Sequence, residues 1–177
     1  MDLRGKGPII AMALAAAAAG GWLIYRAWPE TLPNVVLEDD EGQTIALDAM
    51  REGKDYLVLA FFLEGCPISK FSVGLLKTEH QKWSERAAFV GLLIGSATAA
   101  TSYQDNEELD FPVYGLRSTA DPFAVNELFE KVGSSYGTGS AIYGGTVVVV
   151  DADRTVVEIF AKEEVKGLPA ELESLLQ

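Results

Sequence analysis

The chain has 177 residues, 49% of them hydrophobic and 23% charged, with one cysteine, one histidine and a formal net charge of −12. That suffices for one domain of ordinary size plus an appendage, while a lone cysteine excludes an internal disulfide and a lone histidine excludes a multi-histidine metal centre. Beyond Thr31 the balance is 11 basic against 24 acidic residues, which excludes nucleic-acid binding by phosphate neutralisation.

Pro8 to Tyr25 is an 18-residue run without a charge. As a helix over about 8–28 it reaches the short end of a bilayer span, with Arg26 able to snorkel and Trp22, Tyr25 and Trp28 suited to the interface. A cleaved secretory signal is the competing reading, since alanine-rich stretches offer cleavage sites. Apolar residues continue through Trp22-Leu23-Ile24-Tyr25, which favours an uncleaved signal anchor over residues 1–31. Arg4 and Lys6 precede the run and only Arg26 follows closely, so the positive-inside bias puts the amino terminus in the cytoplasm. The globular part, 32–177, is then extracytoplasmic, and periplasmic in a bacterium with two membranes. Ala13, Ala17 and Gly21 recur at four-residue spacing, a pattern that lets helices approach closely in lipid and that an alanine-rich anchor also carries by chance.

Pro29 and Pro33 bracket an extended linker. Val35-Val36-Leu37 and Thr44-Ile45-Ala46-Leu47 form a hairpin about an acidic turn that lacks calcium-loop spacing. Tyr56 to Phe62 reads as a buried strand. From Pro67 the pattern turns helical, with Ile68, Phe71, Leu75, Leu76 and Trp83 on one broad face. His80 reads as a polar helical position. Ala88 to Ile94 is a second buried strand, Ala97 to Glu108 a short helix or loop, and Phe111 to Tyr114 an edge strand, because Pro112 lacks a donor. Pro122 opens a helix to about Val132. Gly133 to Gly145 is a glycine-rich loop without the lysine of a phosphate loop. Thr146 to Val150 and Thr155 to Phe160 form a hairpin in which Asp151 and Asp153 are turn formers. Pro169 to Leu176 is a closing helix. The order predicts an α/β sandwich with a mixed sheet.

Cys66 lies in Phe61-Phe62-Leu63-Glu64-Gly65-Cys66-Pro67-Ile68-Ser69, at the junction of strand and helix. Unpaired N–H groups at a helix start favour a thiolate, and Lys70 one turn on would add to this while Glu64 would oppose it. Three residues on, where a CxxC motif has its second sulfur, stands Ser69.

These segments resemble the thioredoxin superfamily, in particular its membrane-anchored thiol-disulfide oxidoreductases and the redoxin group. The junction lies over that group's Phe-Phe-x-x-x-Cys-Pro-x-Cys. Phe111-Pro112-Val113 is similar to its "FPV" strand, Tyr136-Gly137 to its "YGV", and Thr146 to Asp151 to the strand after its cis-proline. The resemblance covers roughly Leu32 to Gln177 and implies a thioredoxin-like three-layer sandwich with a mixed central sheet, here preceded by one transmembrane helix. It also implies departures. Gly65 replaces the usual aromatic, Ser69 replaces the resolving cysteine, and Gly145 falls where the cis-proline that shapes the substrate groove belongs. Leu59 and Leu63 occupy the proline and threonine positions of the peroxidatic pattern. The second cysteine and the histidine of a copper-delivery relative are not evident.

Two function classes follow. If Cys66 works, it forms a mixed disulfide that only an external thiol releases. If Cys66 is a relic, the fold serves as a surface, as an accessory or assembly subunit of a respiratory or photosynthetic type of membrane complex. The simultaneous loss of Ser69's sulfur and Gly145's proline tips the sequence toward the second, non-enzymatic reading, with other integral membrane proteins as partners and no cofactor or metal.

Overall fold

The computed structural model describes residues 30–119, 121–135 and 142–177. Among the described residues, seven strands form two sheets. The small one is the expected hairpin, β1 (Val36–Glu38) against β2 (Thr44–Ala46), in antiparallel register with Leu37 opposite Ile45. A four-residue helix, α1 (Leu47–Met50), follows directly and buries Leu47 and Met50. The large sheet holds β3 (Tyr56–Phe62), β4 (Ala87–Leu93), β5 (Val113–Gly115), β6 (Val147–Val150) and β7 (Val156–Phe160) in the order β5-β4-β3-β6-β7. β3, β4 and β5 are parallel, whereas β6 runs antiparallel to β3 and β7 antiparallel to β6. The sheet is mixed, as the sequence predicts.

Central strands covered on both faces read as unbroken apolar runs, which is why Tyr56–Phe62 and Ala87–Leu93 show no polar alternation. Their side chains still alternate in direction. Val58, Ala60 and Phe62 face a core completed by α2 (Pro67–Trp83), α3 (Ala97–Asn106) and α5 (Leu168–Leu176), through Val73, Leu76, Tyr103, Leu168 and Leu172. Leu57, Leu59 and Phe61 face the other core, closed by α4 (Pro122–Ser135) through Val125, Leu128 and Val132, and by Leu32, Val35 and Leu37. Helices on both faces of one sheet make three layers.

Three details differ from the sequence expectation, and a fourth decides an alternative it left open, helix or loop over 97–108. The buried stripe of α2 is Ser69, Ser72, Val73, Leu76 and Glu79, while Phe71 is exposed. Large apolar residues alone mislocate that face, because its first two buried turns carry serine. Glu79 is tolerated inside because Lys82 Nζ at 2.7 Å and Trp83 Nε1 at 3.1 Å donate to it. Residues 97–106 are helix, capped by Ser96, whose hydroxyl accepts from the Ala99 N–H. α4 continues past Gly133 to Ser135, so the glycine-rich loop begins later than its composition suggests. His80 is more than a polar helical position, since its ring packs on Phe89 and Phe111 with centroids at 5.3 and 5.5 Å. Burial lowers its pKa, against a smaller raising effect of Asp110.

The linker after Glu30 is bonded into the fold. Glu30 and Leu32 exchange backbone hydrogen bonds with Val156 and Arg154, Thr31 bridges to Thr155, and Leu32 is buried. Arg154 adds its Nε–H to the Leu32 carbonyl at 2.9 Å and its Nη1 to Asp48 at 2.6 Å. No helix among the described residues is long and apolar enough to cross a membrane. The expected anchor, with Ala13, Ala17 and Gly21, lies outside the described residues, as does Tyr136-Gly137.

Candidate functional site

Leu63-Glu64-Gly65-Cys66 is a tight turn closing β3 onto α2. The Cys66 N–H donates to the Leu63 carbonyl at 3.1 Å, and Gly65 takes φ +73° at the third position. A type II turn needs such a φ there, and glycine adopts it without strain. This accounts for the glycine where the family places an aromatic. Cys66 then caps α2 in extended conformation, and Pro67, already set to a helical φ and lacking an N–H, takes the first helical position.

The sulfur is half-buried. The neutral thiol makes no cap hydrogen bond of its own. Its nearest acceptor is the Gly144 carbonyl, 3.8 Å from Sγ. Burial pushes the Cys66 thiol up, but the N–H and hydroxyl of Ser69 and the N–H of Ile68 favour the anion, and together they bring its pKa below the ordinary thiol value. Lys70, expected to help, has an exposed side chain and takes no part; the local donors of the first turn suffice. Ser69 is itself fixed, 1% exposed, with its Oγ accepting the Leu63 N–H at 3.0 Å.

Opposite the first turn of α2 lies Gly144-Gly145. The Gly145 N–H donates to the Phe61 carbonyl at 2.6 Å, and its own carbonyl accepts from Ser72 Oγ at 2.8 Å. A Cβ on Gly145 would stand 2.6 Å from Ile68 Cγ2, and one on Gly144 would stand 3.2 Å from Cys66 Sγ. No cis peptide bond occurs among the described residues. Gly145 therefore stands beside the helix start, where the resemblance puts the cis-proline, but with φ +89° and a committed N–H it holds a conformation that proline cannot adopt.

Tyr103 completes the surroundings. It stacks on Phe62 at 5.2 Å, and its pKa is pushed up to about 12, first by burial and then by the charges of Glu107, Cys66 and Glu64. Among the described residues no group of three or more His, Cys, Asp or Glu side chains is placed to hold a metal.

No protein-family model matches the chain, and no curated protein matches it in sequence. Solved structures match it closely in shape. The thioredoxin domain of a thiol-disulfide oxidoreductase from Bacteroides vulgatus superposes with a TM-score of 0.63 at 13% identity, over 84% of this chain and 96% of that one. A thioredoxin-family thiol:disulfide interchange protein from Chlorobium tepidum gives 0.61 at 19% identity, over 85% and 99%. A peroxidoxin from Mycobacterium tuberculosis gives 0.58 at 17% identity, over 83% and 94%. The chain has a thioredoxin-like fold.

Within this thioredoxin-like fold the structure brings Cys66, Ser69 and Gly145 together at the start of α2. Reading the sequence did not find Ser72, Gly144 or Tyr103. Ser69 and Ser72 recur three apart on a helix, and a Gly-Gly pair precedes a strand. Small residues in both places are the available sign of a close backbone approach. The chemistry of the set is limited. Its one sulfur belongs to a partly buried cysteine and is acidified, but the side chain three residues on is a serine, whose hydroxyl does not displace a disulfide.

Proposed function

We propose that this is a membrane-tethered, single-cysteine thioredoxin-like protein that exchanges disulfides through Cys66 and needs an external thiol for release. The observation that favours this over a relic is the partly buried Cys66, whose sulfur is faced by the Ile68 N–H, the Ser69 N–H and the Ser69 hydroxyl. In the step proposed, the Cys66 thiolate attacks one sulfur of a partner disulfide. A Cys66–partner bond forms, the partner's S–S bond breaks, and its second sulfur leaves as a thiolate. An external thiolate then attacks the partner's sulfur in the mixed disulfide, forms a new disulfide with the partner, and expels Cys66 as the thiolate. No electrons are gained or lost by the protein over the cycle.

The test is alkylation of Cys66 across pH in the full-length protein, followed by trapping with a small aromatic disulfide. The expected midpoint lies below that of a free thiol, and the mixed disulfide persists until glutathione is added. A midpoint at or above the free-thiol value would sink the reading, as would release without added thiol. For the tether, residues 1–31 are proposed as an uncleaved anchor, supported by the uncharged run from Pro8 to Tyr25 and by Arg4 and Lys6 before it. Carbonate extraction and protease protection check the anchoring and the extracytoplasmic placement.

A second reading, an accessory or assembly subunit of a membrane complex, draws support from large apolar side chains left exposed. Leu63 is 43% and Tyr143 36% exposed beside Gly144, and Phe71 is 44% exposed one turn along α2. On that reading Cys66→Ser leaves co-purification in mild detergent unchanged, while bulky replacements at Ala17 or Gly21 release the partner.

A further inference from the structure

Ser72 has no part in the chemistry above, yet it is fully buried beside it. Its single hydroxyl proton is shared between the Ile68 carbonyl at 3.1 Å and the Gly145 carbonyl at 2.8 Å, weighted to the nearer. The first bond is internal to α2. The second crosses to the Gly144-Gly145 segment, which the Gly145 N–H also ties to the Phe61 carbonyl. The two bonds grip Gly145 from the helix and from the strand. Their consequence one residue earlier is that the Gly144 carbonyl is held 3.8 Å from Cys66 Sγ.

We propose that Ser72 is a positioning residue that latches the Gly144-Gly145 segment over Cys66 and thereby restrains the sulfur. The inference rests on the reading of Cys66 as a thiol-exchange group and adds a control to it. Three effects of the segment run the same way. Its carbonyl oxygen accepts from an S–H, which favours the neutral form. The same oxygen carries partial negative charge, which disfavours an anion. Its backbone keeps water from one side of the sulfur, and burial is the largest influence on this thiol. The donors that favour the thiolate belong to the first turn of α2 and stay in place when the segment lifts. The other titratable groups near Cys66 are Glu64 in the turn before it, Lys70 on α2, Tyr103 on α3 and Tyr143 beside the segment. None of them bonds to Ser72.

The reciprocal follows by linkage. If the latch favours the thiol over the thiolate, ionising Cys66 loosens the latch, and a mixed disulfide, which has no S–H to offer the Gly144 carbonyl, gives up the same contact.

The experiment compares Cys66 alkylation across pH in the full-length protein and in Ser72→Ala, with Ser72→Thr and Ser72→Val as a pair of equal shape that differ in the hydroxyl. Loss of the hydroxyl should lower the midpoint and speed alkylation below it by about threefold to tenfold, the effect of one ordinary hydrogen bond. Ser72→Thr should stay close to the parent and Ser72→Val should follow Ser72→Ala. A destabilised but folded protein without the latch would unfold earlier and keep the parent midpoint, so the pH profile separates the two. Amide exchange in the unmutated protein gives an independent reading should the variants misfold. The Gly145 N–H should exchange faster once Cys66 carries a methylthio group than when it is reduced. Equal midpoints in Ser72→Thr and Ser72→Val overturn the latch, as does unchanged Gly145 exchange. An ordinary thiol midpoint in the unmutated protein overturns instead the reading of Cys66 on which the latch depends.

Discussion

At the carboxyl end of β3, Cys66, Ser69 and Ser72 meet Gly144-Gly145. At the opposite end of the sheet, Glu30, Thr31 and Leu32 meet Thr155 and Arg154, beyond the pairing of Leu57 with Val150. Both junctions join segments distant in sequence through a few short hydrogen bonds, yet they treat their central atom differently. At the lower end Leu32 is 1% exposed and the arginine spans it to Asp48, so the bonds seal a hydrophobic contact. At the upper end the bonds hold a backbone segment beside a cysteine that stays partly exposed. The difference lies in residue size. Serine and glycine let backbones approach until carbonyls and N–H groups line the gap, whereas leucine and arginine fill it.

The comparison breaks most severely at Gly145. Gly145→Pro removes the bond to Phe61 and demands a negative φ where the chain has +89°, which should cost at least about 3 kcal/mol in urea unfolding. If that variant were as stable as the parent, the upper junction would not be built as described. Leu32→Ala attacks the lower junction and should cost about 2–4 kcal/mol by cavity formation, while leaving the Cys66 alkylation profile unchanged. A shift in that profile would mean the two ends are coupled. Ser69→Ala removes a donor to the thiolate and the acceptor of the Leu63 N–H, so it should raise the alkylation midpoint and slow reaction at neutral pH by about threefold to tenfold, for a stability loss of about 1 kcal/mol.

The smallest effect expected is that of His80, which touches neither junction. Its folded pKa is lowered from the ordinary value of 6.5, so the folded state favours the neutral ring. The stabilisation is complete above 6.5 and is lost as pH falls through the lowered folded value. Chemical denaturation at several pH values should show this dependence, and His80→Leu should abolish it.

Much of this architecture was legible. Tyr56–Phe62 and Pro67 onward announce a strand and a helix because burial on both faces and a fixed helical φ leave direct marks on composition. Cys66 could be placed at their junction for the same reason. The wall facing Cys66 was not legible. Which glycine approaches a helix depends on where β6 enters the sheet, a contact between residues more than seventy apart. Likewise the burial of Ser69, Ser72 and Glu79 reflects polar partners supplied by tertiary structure, which a search for apolar periodicity passes over.

The pairing of residues 30–32 with 154–156 has a consequence for how these molecules coexist. β7 is a terminal strand of the sheet, and an open terminal strand offers its N–H and C=O groups to any other extended chain. Here its first residues are already taken by the protein's own leading segment, and Glu158 adds a charge farther along the ladder. A second extended chain approaching β7 at Thr155–Val156 would find that part of the edge already paired.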